Sequence, residues 1–231
     1  MSRNETEFHR RQLISHVLPM FLFLALLALG QWLSGYGSNA WFRQAKYWIY
    51  PLQTIVCGGL LFWFRGCYAF GHLKKVVFTL LIGAVVFLLW ISPQQFFGFP
   101  PRTVGFDPAS PFGNQGALYW GTIILRFARL VVVVPFIEEI FWRGFLLRFL
   151  IDERFERITF GRFGWWSFII VTLAFAVSHS WPDWPAALIT GAVYNLVAYR
   201  TGSLASCILA HATTNLLLGL WVIQTQQWGF W

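Results

Sequence analysis

Two adjacent carboxylates, Glu138 and Glu139, stand in the run PFIEEIFWRGFLLRF (135–149), which is otherwise mostly apolar. A carboxylate at the centre of a bilayer costs at least ~2.5–3.5 kcal/mol on insertion scales, so acids in such a run call for a function or a partner. Arg143 follows Glu139 by four residues, on the same helical face and in the favoured acid-first order. Glu138 is turned by about 100° from Glu139 and stands five positions from Arg143, which places it less well for that pair. The spacing therefore reads as one paired acid and one available acid. A purely structural ion pair is the competing reading.

Two further polar pairs interrupt the later apolar runs. In TLAFAVSHSW, His179 follows Phe175 by four residues, and in ILAHATTNLLLG, Asn215 follows His211 by four. Each pair shares one helical stripe. A lone buried histidine is more often a satisfied core residue than a functional one. Of the five histidines, however, His9 and His16 are expected ahead of the first span and His72 in a basic loop. That leaves His179 and His211 within spans, in the half of the chain that holds the glutamates. At ~1.5 Å per residue, Glu138 and His179 both come about 20 Å from the cytoplasmic ends of their segments, and His211 roughly 13 Å. Modest tilts would gather them with Asn215 around one polar cavity.

The elements that must position these groups are apolar helices. Of 231 residues, 57% are hydrophobic and only 11% charged, well below the roughly 25% charged of a soluble domain. Stretches near 17–34, 47–64, 75–92, 118–150, 165–181, 185–199 and 203–221 are long enough or apolar enough to be read as spans, about 20 residues being needed for one crossing. The expected fold is an all-α polytopic membrane protein, a bundle of seven helices with an intramembrane polar cavity. The 118–150 stretch is long for one crossing and contains Pro135, so a split there would give an eighth element. Residues 1–117 read as an N-terminal region of three spans and a Pro/Gly-rich loop, and 118–231 as the part carrying the chemistry, within one integrated domain.

Charge and cysteine usage narrow the function. The net charge of +8 resides in the loops, which favours membrane topology over nucleic-acid binding. With the N-terminus in the cytoplasm, eleven Lys and Arg fall inside, against Arg43, Lys46 and Arg102 outside, in keeping with the positive-inside rule. Arg126, Arg129 and Arg143 lie inside the fourth stretch. The first apolar run is expected to be a retained span and not a cleaved signal. Cys57, Cys67 and Cys207 have no metal-ligand spacing, and three cysteines do not suggest a disulfide framework. No zinc HExxH pair, phosphate loop or internal repeat is present.

The three polar groups, EExxxR at Glu138, Glu139 and Arg143, FxxxH at Phe175 and His179, and HxxxN at His211 and Asn215, resemble the motifs of CPBP (Abi) intramembrane proteases. That family includes the type II CAAX prenyl endopeptidases and bacterial relatives linked to bacteriocin processing and immunity. The resemblance runs over about 118–221 and includes the linking stretch YRTGSLASCILAH. It implies hydrolysis of a peptide bond in a membrane-tethered protein or peptide, with membrane lipid as the surroundings and the bacterial inner membrane as the location. Sorting or maturation of such a substrate is expected ahead of CAAX processing.

Under that resemblance, Glu138 acts as general base toward a water that His179 orients, His211 and Asn215 donate to the developing oxyanion, and Arg143 holds Glu139 ionised. No cofactor is needed on this reading. The alternative is a Zn2+ held by Glu138, His179 and His211, since two histidines and a glutamate ligate zinc in known hydrolases. Two non-protease readings stand beside these. One is a membrane scaffold or immunity protein that keeps the cluster as helix-bridging hydrogen bonds. The other is a proton-coupled transporter, for which the expected repeats and broken helices are missing.

Overall fold

A computed structural model describes residues 3–36, 39–103, 105–113 and 115–231. Seven helices longer than ten residues account for most of the chain: α1 (Arg3–Gly35), α2 (Ala45–Trp63), α3 (Val76–Phe96), α4 (Ala117–Phe149), α5 (Trp165–Val177), α6 (Trp184–Thr201) and α7 (Leu204–Thr225). They coincide with the seven apolar stretches of the sequence. By length and composition α1, α3, α4 and α7 can each cross a membrane. Large apolar side chains such as Phe21, Ile55, Val77, Ile124 and Leu220 point outward from the bundle. The chain is a polytopic helical membrane protein.

The helices alternate in direction, and contacts at the two ends of the bundle show it. At one end His9 of α1 meets Glu156 at 3.1 Å and the hydroxyl of Ser203, at the start of α7, donates to the His72 carbonyl at 2.7 Å. At the other, Gln94 of α3 donates to Gln227 past α7 at 2.5 Å, and Lys46 of α2 donates to the Gly105 carbonyl at 2.9 Å. One buried apolar cluster draws on all seven helices, from Met20 and Phe23 through Cys57, Val86, Ile137, Phe175 and Tyr194 to Ala210. Its tightest approach is between α3 and α7. A Cβ added at Gly83 would stand 2.6 Å from the Ala210 carbonyl oxygen, so only glycine lets these backbones meet. Thr214 uses the gap to donate to the Gly83 carbonyl at 2.8 Å.

Helix α4 settles the question left by its length. It is a single 33-residue helix, about 50 Å long at 1.5 Å per residue, and no eighth element arises from a break. Instead it relaxes twice into π-helix, at Ala128–Val133 and Ile140–Leu146, on either side of the α-helical stretch Val134–Glu139. Proline sets the end of the first. Val134 N–H bonds to the Arg129 carbonyl, a π-type i to i+5 step, and the next bond of that kind would need an N–H at position 135, where proline has none. The Leu130 carbonyl is thereby released.

Two sequence expectations about histidines change here. His16, one residue ahead of the apolar stretch 17–34, is not a free N-terminal residue but part of α1, buried at 3% exposure, with its ring edge-on to Tyr68 and Phe155. His179 is not within a helix but two residues past the end of α5. At 13 residues α5 is about 20 Å long, shorter than the ~30 Å hydrocarbon core.

Candidate active site

Glu139 is fully buried, and one of its oxygens, Oε1, is the hub of the site. Arg143 Nη1 donates to it at 3.0 Å and His211 Nδ1 lies at 2.9 Å. Arg143 is also completely buried, and each of its other two nitrogens makes a hydrogen bond. Nε reaches Asn195 Oδ1 at 3.1 Å and Nη2 the Gly191 carbonyl at 3.1 Å, both on α6. The Asn195 amide then donates to Thr172 on α5 at 3.1 Å. Further hydrogen bonds offset the cost of burying such an ion pair; here those of Arg143 tie α4, α5, α6 and α7 together, while Oε2 of Glu139 is buried without a partner. The faces of the guanidinium lie over Phe175 at 5.0 Å and Tyr194 at 5.4 Å.

Glu138, one residue earlier, has none of this. It is half-buried, its Oε2 is buried without a hydrogen-bond partner, and no cation lies within salt-bridge distance of it among the described residues. The distinction drawn from spacing, one acid paired and one available, matches this geometry.

The two histidines are oriented by their Nδ1 atoms. A carbonyl and a carboxylate only accept, so the partners assign Nδ1 as the donor in each. His179 Nδ1 donates to the Phe175 carbonyl at 2.8 Å, and its ring packs between Phe175, 4.7 Å away, and Trp90, 5.4 Å away. The neutral ring then presents Nε2 as an acceptor. His211 Nδ1 donates to Glu139, and its ring packs on Tyr194 at 5.3 Å. Its Nε2 donates only in the doubly protonated form.

Asn215 has a structural partner that spacing does not reveal: its amide donates at 2.7 Å to the Leu130 carbonyl that Pro135 leaves open. Its second N–H is not committed by that bond. The hydrogen bonds thus join Glu139, Arg143 and His211 directly. His179 reaches them through Phe175, whose carbonyl it bonds and whose ring lies against Arg143, and Asn215 anchors a different turn of α4.

Several members of the network escape the sequence reading: Asn195, Gly191, Thr172, Tyr194 and Thr214. Gly191 and Asn195 are four apart on an apolar helix, the same i, i+4 signal that marked His211 and Asn215. The Tyr194 hydroxyl donates to Thr214 at 2.6 Å, which locks α6 to α7 beside His211.

Among the described residues no three His, Cys, Asp or Glu side chains converge in an arrangement able to hold a metal. Glu138, His179 and His211 therefore do not form a ready ligand set, and no step is derived through zinc.

Comparison with known proteins agrees with the motifs. Residues 120–217 match the family model described as Type II CAAX prenyl endopeptidase Rce1-like. A search of curated proteins gave no match, and a search of solved structures gave none. The matched segment begins within α4 and ends within α7, and so contains Glu138, Glu139, Arg143, His179, His211 and Asn215. Over residues 120–217, somewhat less than half of its length, the chain is similar to the Rce1-like, CAAX prenyl endopeptidase type II-related family.

Proposed function

We propose that this chain is an intramembrane endopeptidase that cuts a membrane-tethered protein or peptide, with seven spans and a cytoplasmic N-terminus in a bacterial inner membrane. The observation that carries the proposal is the contrast between neighbouring acids: Oε1 of Glu139 is held by Arg143 and His211, while Glu138 has no ionic partner among the described residues. An unengaged carboxylate beside one committed to an ion pair is the group free to take up a proton.

Glu138 takes a proton from a water whose other hydrogen is held by Nε2 of His179, and the resulting hydroxide attacks the peptide carbonyl; as the tetrahedral intermediate collapses the C–N bond breaks, and Glu138 returns its proton to the leaving amine. The oxyanion receives the free amide N–H of Asn215 and, when His211 is doubly protonated, its Nε2–H. Single donors of this kind are worth roughly 3–4 kcal/mol in other hydrolases. Arg143 and Asn195 act on the reaction only through Glu139 and His211. The two π-helical stretches bracket the acids, in line with the frequent placement of such bulges at functional sites.

The topology rests on the eleven-to-three basic bias and on the alternating direction of the seven helices. The preference for substrate maturation over CAAX processing remains part of the proposal.

The test is a cleavage assay in proteoliposomes with a membrane-anchored reporter. Glu138→Gln keeps the size of the side chain but cannot take up the proton, and it should abolish cleavage with the melting temperature unchanged. Glu139→Gln should lower both, because two buried donors lose their ionic partner. Wild-type cleavage by both variants would overturn the assignment. A scaffold reading has one observation in its favour, since His211–Glu139 and Asn215–Leu130 bridge separate elements. It requires that Glu138→Gln leave the biological function intact.

A further inference from the structure

Helix α4 carries two more cations, Arg126 and Arg129, which the site above does not use. They are 7% and 5% exposed, and no carboxylate among the described residues lies within salt-bridge distance of either. Both Nε atoms, and the hydroxyl of Tyr50, are buried without a hydrogen-bond partner. The flat faces of the guanidinium groups are occupied. Tyr50 lies 4.4 Å from Arg126 and 3.8 Å from Arg129, with Phe106 and Phe23 completing the stacks at 4.6 and 4.9 Å. Stacking uses the ring faces but leaves the in-plane N–H donors open. Unpaired buried charge is costly, and two such charges one turn apart ask for an anion.

We propose that Arg126 and Arg129, with the Tyr50 hydroxyl, bind a carboxylate of the peptide substrate. Guanidinium groups match a planar carboxylate by paired N–H donors. Two observations favour a peptide over a lipid. Arg129 is nine residues from Glu138 on the same helix, about 13 Å along its axis. On the other side, the ring of Phe106 that stacks on Arg126 meets Tyr47 at 4.8 Å, and Tyr47 lines a cavity of about 730 Å³ together with Lys46, Gln94, Asp107, Ser110 and Gln227, groups suited to the amides of an extended chain. The inference rests on the protease reading, in which one substrate occupies both places.

The test uses the full-length chain carrying Glu138→Gln, so that peptide is not consumed, in phosphatidylcholine nanodiscs. Binding of a fluorescent peptide with a free C-terminal acid is compared with its amide, and an amidated peptide with an internal Asp with its Asn form. An acid should bind at least about tenfold tighter than its neutral partner, as expected for hydrogen bonds to a charged group. The pair of peptides showing the difference tells a terminal from a side-chain carboxylate. Arg126→Gln or Arg129→Gln should erase the preference, and Arg126→Lys or Arg129→Lys should leave only part of it. Should a glutamine variant not fold, the acid-to-amide comparison on the Glu138→Gln chain decides alone. Equal affinity for acids and neutral forms, or a preference that survives both arginine variants, overturns the proposal. So does a melting temperature raised by phosphatidylglycerol only when both arginines are present, with no acid preference, which assigns the site to lipid. Acid-selective binding by a chain whose wild type cleaves nothing would sink the protease reading alone.

Discussion

The amide of Asn215 donates at 2.7 Å to the carbonyl of Leu130, the backbone acceptor that Pro135 deprives of its helical partner. Proline on one helix and asparagine on another are thus two halves of one local structure. Their coupling is measurable. Asn215→Ala should destabilise the chain by about 1–3 kcal/mol, the cost of leaving a buried acceptor unmet. In a Pro135→Ala background the N–H returns, and the same change should cost less by at least about 0.5 kcal/mol. Strictly additive melting shifts would show that Leu130 finds another donor.

Asn195 has no place in the recognised motifs, yet it holds Nε of Arg143 and passes the network on to Thr172. Asn195→Leu should cost about 1.5–3 kcal/mol, because it strips an acceptor from a buried cation. Asn195→Asp keeps an acceptor and should retain more activity. If the leucine variant melts and cleaves like wild type, Arg143 is held adequately by Glu139 and Gly191 alone.

Chelation separates the two hydrolytic chemistries. If Glu138 and His179 activate water directly, the purified chain should keep its cleavage rate after prolonged treatment with a strong chelator, and elemental analysis should find no stoichiometric zinc. Inactivation reversed by added zinc, with about one zinc per chain, would transfer the chemistry to a metal.

Topology can be read with two single cysteines in a chain whose Cys67 is replaced by serine; Cys57 and Cys207 are buried. Glu5→Cys lies at the bundle end where Glu5 meets Arg157, and Gln226→Cys at the opposite end, just past α7. An impermeant thiol reagent should label only the second in intact cells. Labelling of both from one side would contradict an odd number of spans.

Periodicity and composition alone located the seven helices, because lipid contact demands long apolar stretches and each polar interruption stands out against them. The i, i+4 spacing likewise determined that Glu139 pairs with Arg143 and leaves Glu138 aside, since that geometry is internal to one helix. Tertiary structure decided what depends on other helices. His211 turns to Glu139, Asn195 completes Arg143, and His179 sits past a helix end because α5 is only 13 residues long. Pro135 signalled a possible break in α4, but neighbouring helices can satisfy freed backbone groups inside a membrane. Asn215 does so from α7, and α4 continues unbroken, its glutamates in an α-helical stretch between two π-helical ones.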